Sequence, residues 1–91
     1  MYNEYKKKAV ALRYRKGKDK APKLVAKGVA EIAEKIIKVA RDENVPIIKD
    51  ENAATEFFGL DLNVEVPPEL YKVAAEILAF IYCLDKKTND R

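Results

Sequence analysis

The stretch Ala21-Pro22-Lys23-Leu24-Val25-Ala26-Lys27-Gly28 decides how the rest of the chain is read. Pro22 fits the entrance of a strand, where its missing N–H need not break a ladder. Lys23 to Ala26 continue that strand, and Gly28 supplies a permissive backbone where strand gives way to helix. Upstream, residues 8 to 15 make another strand: Val10, Leu12 and Tyr14 alternate with Ala9, Ala11 and Arg13. One face is thus apolar and the other small or polar. Arg15 to Lys20 form a charged turn around Gly17 and Asp19. No paired acid and base or metal cluster accompanies this arrangement. It points to a compact module bound by something larger.

Downstream, Val29, Ile32, Ala33, Ile36, Val39 and Ala40 recur at three-and-four spacing, with Ile37 widening the stripe. The pattern predicts a helix from about Val29 to Glu43, with Ile36 entering the principal core. Glu31 and Glu34 face Lys35 and Lys38 at four-residue spacing, and Asn44 suits a left-handed C-cap. Pro46-Ile47-Ile48 predicts a short strand. Asp50 caps a helix from Glu51 to Phe58 that Gly59 stops. Leu60 to Val66 alternates and is either an edge strand or an extended connection, the latter favoured. Pro68 sits in the first turn of a last helix reaching about Leu84. Leu70, Val73, Ala74, Ile77, Leu78, Ile81 and Tyr82 supply its buried face.

The 91 residues suit one α/β domain: three or four strands in a small mixed sheet packed against three or more helices. Residues 1–7 form an N-terminal arm, 8–84 the domain and 85–91 a polar tail. The net charge of +3 hides an asymmetry, because ten basic and two acidic residues precede Gly28. That basic half could meet nucleic acid, anionic lipid or an acidic protein face. It could equally keep the domain soluble and guard strand edges. The apolar runs are too short for a membrane span and nothing resembles a signal peptide. A lone Cys83 and no histidine exclude an internal disulfide and an ordinary structural zinc site, and a reducing cytoplasm fits best.

The catalytic options are poor. Cys83 lies near a helix C-terminus, which disfavours a thiolate, and no histidine can activate it. Asp19, Asp50, Glu51, Asp61 and Glu65 match no calcium loop or paired-acid spacing, and caps and turns explain them. Gly17 and Gly28 do not make a phosphate-binding loop, so no cofactor or metal is expected. The tyrosines could stack on RNA, but Tyr14 and Tyr82 fall on predicted apolar faces, which disfavours nucleic-acid binding. Phe57, Phe58 and Phe80 read as core or pocket walls, part of whose surface could receive an apolar peptide side chain.

Taken in order, Ala9-Val10-Ala11-Leu12-Arg13-Tyr14, Ala21 to Gly28, Asn44 with Val45-Pro46-Ile47-Ile48, and Pro67-Pro68-Glu69-Leu70-Tyr71 resemble one family. The similarity is to the cytoplasmic C-terminal domain of FlhB/YscU proteins, the export switches of flagellar and virulence type III secretion. It covers about residues 8 to 84. In self-cleaving members Asn-Pro-Thr-His lies just before the first of these segments. Here Glu4, Tyr5, Lys6 and Lys7 fall at those positions, without the cyclising Asn or the Pro.

The resemblance implies a free-standing, non-enzymatic interaction module of flagellar or type III export. It substitutes for or modulates the C-terminal fragment of the switch protein. Implied partners are export-gate membrane proteins, their cytoplasmic machinery or exported subunits. The implied location is the cytoplasm, with peripheral recruitment to the inner side of the membrane and no insertion of its own. Lys6, Lys7, Lys8, Arg13 and Arg15 form the candidate partner-binding set. A family strand that precedes the cleavage loop has little sequence to form it here, so an exposed sheet edge and self-association are further expectations. A small nucleic-acid-binding protein and a structural homologue without an export role are the alternatives.

Overall fold

The computed structural model describes residues 7–79. Their order is β1 (Lys8–Arg13), β2 (Lys23–Val29), α1 (Glu31–Asp42), α2 (Glu51–Phe58), a 3-10 turn at Pro68–Leu70, and a helix over 71–79, α3. The expected arm up to Lys6, the polar tail, and the helix beyond residue 79 with Phe80, Ile81, Tyr82, Cys83 and Leu84 lie outside the described residues.

β1 and β2 form an antiparallel hairpin, with Ala9 opposite Gly28, Val10 opposite Lys27 and Ala11 opposite Ala26. The register then slips, so that Leu12 faces Leu24 and Val25 is left as an extra residue in β2. Such a bulge bends the strand and sharpens its twist. Among the described residues the sheet has two antiparallel strands, not three or four in a mixed arrangement. The α/β class and the three covering helices stand.

Strand alternation gives the hairpin two different faces. Val10, Leu12 and Leu24 turn towards a core completed by Ala53, Phe57, Val66 and Ala74, with Leu60, Leu70, Val73 and Ile77 packed around it. Leu24, Phe57 and Val66 are its largest fully buried side chains, and each is worth about 1.5–3 kcal/mol relative to exposure. The other face carries the small pairs Ala9–Gly28 and Ala11–Ala26, and α1 lies close against it. A Cβ at Gly28 would overlap the Ile32 Cγ2 methyl and come within 2.7 Å of the Ile32 Cβ. Gly28 therefore lies inside β2 and serves close packing, instead of easing a strand-to-helix transition.

This second layer corrects the reading of Ile36. Only Ala33 of α1 is fully buried; Ile36 and Ile37 are half-buried, and Ile32 and Val39 are 50% and 59% exposed. The principal core is on the opposite face of the hairpin, and Ile36 is not in it. A two-stranded sheet paved with Ala and Gly offers α1 little apolar area to cover.

The helix ends follow their local chemistry. The Ala53 N–H donates to Asp50 Oδ1 at 3.0 Å, a cap worth about 1 kcal/mol, and the Gly59 N–H closes the helix on the Phe57 carbonyl. Asn44 adopts a φ of 60°, and the Val45 N–H returns to the Ala40 carbonyl at 2.8 Å. Pro46-Ile47-Ile48, expected as a strand, forms none. The far edge of β2 is already taken. Leu24 N–H donates to the Val64 carbonyl at 3.2 Å, Asn63 N–H to Leu24 at 2.6 Å and Val66 N–H to Pro22 at 2.8 Å. Leu60 to Val66 is thus no edge strand, and it is extended only in its second half: it turns at Leu62 and Asn63, where Asn63 takes a φ of 66°, then makes one bridge, Lys23 to Glu65, and drives Val66 into the core.

Candidate partner-binding surface

The hairpin turn is built from its own charges. Lys18 and Asp19 N–H groups return to the Arg15 carbonyl at 3.0 and 2.9 Å, with Gly17 at a φ of 86°. Asp19 accepts from the Arg15 N–H at 2.7 Å and from its guanidinium at 3.1 and 3.2 Å. The guanidinium hydrogen bonds, helped by the Arg15 N–H, hold the Asp19 carboxyl down at about 2, and the same pairing raises Arg15. Arg15 is therefore the strut of this turn.

The candidate basic set does not converge. Lys6 lies outside the described residues. The Lys7 ammonium pairs with Glu34 of α1 at 3.1 Å, while its carbonyl accepts from Ala30 N–H at 2.8 Å. Lys8 and Arg13 cap opposite ends of β1, about 17 Å apart at strand rise. Of the cleavage-loop positions Glu4, Tyr5, Lys6 and Lys7, only Lys7 is described. The residues the fold does gather are those of the hairpin end, where Arg13 pairs with Lys23 and the turn between them carries Arg15, Lys16, Lys18 and Lys20; the acids there are Asp19 in the turn and Glu65 across the bridge from Lys23.

β1 is the outer strand, and no described residue pairs with its free edge. Antiparallel pairing of that edge with a second copy would set Lys8 against Arg13. Like charges directly opposite one another work against such self-association.

A groove of about 380 Å³ opens between the hairpin end and α3. Its lining is Tyr14, Lys20, Ala21, Pro22, Tyr71, Ala74, Ala75 and Leu78. Ala21 and Pro22 are buried and small, as is Ala74, so the two elements meet over a hollow. Tyr14 and Tyr71 stand 40% and 49% exposed at its sides. Tyr14 was expected on a buried face and lies instead on this wall, because β1 ends at Arg13. The two described phenylalanines do not line the groove: Phe57 is core, and Phe58 lies beneath the Lys27 ammonium. The signal for it was the spacing of Tyr71, Ala74, Ala75 and Leu78, a second apolar stripe beside Leu70, Val73, Ala74 and Ile77. No helix among the described residues is long and apolar enough to cross a membrane.

A hairpin with three helices around it is the fold of a type III export-switch C-terminal domain. The chain belongs to the FlhB HrpN YscU SpaS family, whose model matches residues 6–81. It is 40% identical over 85 residues to YlqH, an uncharacterized protein of Bacillus subtilis, covering 93% of this chain and 91% of that one. It is 40% identical over 80 residues to the flagellar biosynthetic protein FlhB of Aquifex aeolicus, covering 87% of this chain. There it spans only 23% of the relative's length. The cytoplasmic domain of FlhB from Shewanella putrefaciens superposes with a TM-score of 0.85 at 30% identity, over 92% of this chain and 69% of that one. Family and fold thus link the chain to the domains of flagellar and type III export switches.

Proposed function

We propose that the chain is a non-enzymatic interaction module of flagellar or type III export. In this reading the groove between the hairpin and α3 receives an apolar side chain of an extended segment from an exported subunit or from the cytoplasmic face of the export gate. The observation that carries the reading is the groove itself: small, buried Ala21, Pro22 and Ala74 beneath two half-exposed tyrosines. A preformed apolar hollow with few polar groups suits one anchoring side chain. The module would substitute for, or modulate, the C-terminal fragment of a switch protein, and its partners would recruit it to the inner side of the membrane. Glu4 and Tyr5, at the positions where the resemblance places Asn-Pro, support binding without self-cleavage. A Glu carboxylate lacks the nucleophilic amide, and Tyr lacks proline's backbone restriction.

The test is titration of purified chain with exported subunits and with the cytoplasmic part of the gate. Ala75→Glu, which puts a charge on the groove wall, should abolish binding while Lys38→Glu on α1 leaves it intact. Equal binding by both variants would refute the groove. The basic hairpin end also favours a second reading, as a nucleic-acid-binding protein. That reading requires saturable RNA or DNA binding that falls steeply with salt and is indifferent to Ala75→Glu.

A further inference from the structure

We infer that Lys20 makes this groove selective for segments whose anchoring apolar side chain is accompanied by an acidic residue, an inference that rests on the groove reading above. Lys20 is the one ionisable side chain of ordinary physiological charge on the lining; the rest is Ala21, Pro22, Ala74, Ala75, Leu78 and the two tyrosines. It is exposed and forms no hydrogen bond or ion pair among the described residues. Its neighbours strengthen the same sign. Arg13 and Lys18 share the hairpin end; of the two carboxylates there, Asp19 is consumed by Arg15 through three hydrogen bonds, and Glu65 lies across the bridge from Lys23, away from the groove lining. Lys72 and Glu76 of α3 are exposed and do not line the groove.

A segment seated in the hollow therefore meets apolar surface below and a positive field at one rim. An acidic residue beside the anchor gains from that field, and a basic one is penalised. Discrimination by charge at a rim acts on partner choice and encounter more than on affinity. A single exposed pair of this kind changes binding by about two- to fivefold.

The experiment is an array of short peptides with a central Phe, flanked in turn at each neighbouring position by Asp, Asn or Lys, and probed with the purified chain. A parallel set carries Ala at the centre. Expected is binding that requires Phe and is about two- to fivefold stronger beside Asp than beside Asn, the preference shrinking near 1 M salt, where the screening length is about 3 Å. Lys20→Glu should invert the preference towards Lys-flanked peptides. Lys38→Glu makes the same change in net charge on α1 and should leave the preference as it is. Phe-dependent binding that ignores the flanking charge, or that responds equally to both variants, overturns this inference and leaves the groove standing. Failure of every Phe peptide to bind overturns the groove reading and this inference with it.

Discussion

Replacing Lys27 by Met would test how the hairpin and α2 are held together. Lys27 sits in β2 on the core face, opposite Val10, and its ammonium reaches across to the C-terminus of α2. It donates to the Phe58 carbonyl at 3.1 Å and the Leu60 carbonyl at 2.7 Å, and lies 5.3 Å from the Phe58 ring centroid. The last turn of α2 has no basic residue of its own, so Lys27 supplies the positive charge that this helix end favours. Met keeps the apolar stem and removes only the charge and the donors. Hydrogen bonds to a charged group are worth about 1.5–3 kcal/mol, and the helix terminus adds about 0.3–1 kcal/mol. Against this, Met carries no ammonium that must give up hydration on folding, and the freed carbonyls beside exposed Gly59 can take water. The net loss should be about 1–2 kcal/mol, or about 5–15 °C in Tm for a domain of this size. Urea and thermal melts followed by circular dichroism would measure it. Lys27→Arg should retain most of the stability, and Lys38→Met, which breaks an exposed pair with Asp42, should cost under about 0.5 kcal/mol. A Lys27→Met protein as stable as the parent, or no less stable than Lys38→Met, would refute the reasoning.

Gly28→Ala should destabilise by about 1–3 kcal/mol, since the new methyl must displace Ile32 and with it α1; equilibrium urea unfolding checks this. Ile36→Ala should cost less than Phe57→Ala, about 1–2 against about 3–5 kcal/mol, because Ile36 is half-buried on the thin layer while Phe57 is 1% exposed in the core. Equal losses would contradict the two-layer assignment. Asp19, held at about 2 against an ordinary 3.8, lends its stabilising pair to the turn fully above about pH 4 and loses it as pH falls through the folded value. Carboxyl carbon NMR should place its midpoint near 2 and return it towards 3.8 in Arg15→Gln.

Local signals in the sequence mapped well onto local structure. The Asp50 cap, the left-handed Asn44 and the register of the α1 stripe depend on a few adjacent residues, and each was legible. What required the third dimension was less so. Periodicity shows that Ile36 lies on an apolar stripe, but not that the sheet face beneath it is Ala and Gly while the larger residues face the other way. Pro46-Ile47-Ile48 has strand composition, yet a strand needs an edge, and 63–66 holds the far edge of β2. The binding surface divided in the same manner. The excess of positive charge was visible, whereas its gathering at the hairpin end depends on where the turn closes. One wall of the groove is written in the spacing of Tyr71, Ala74, Ala75 and Leu78, but its facing Ala21-Pro22 across about fifty residues of chain is something no local pattern reports.

Site-specific photocrosslinking in the native cell tests the groove's role in export most directly, with the reactive group at Ala75 on the groove wall and, as a control, at Lys38 on α1. Position 75 should yield adducts whose mass spectra identify exported subunits or export-gate proteins, and position 38 should not. Adducts from 75 that lack any export component, or the same adducts from both positions, would contradict the account.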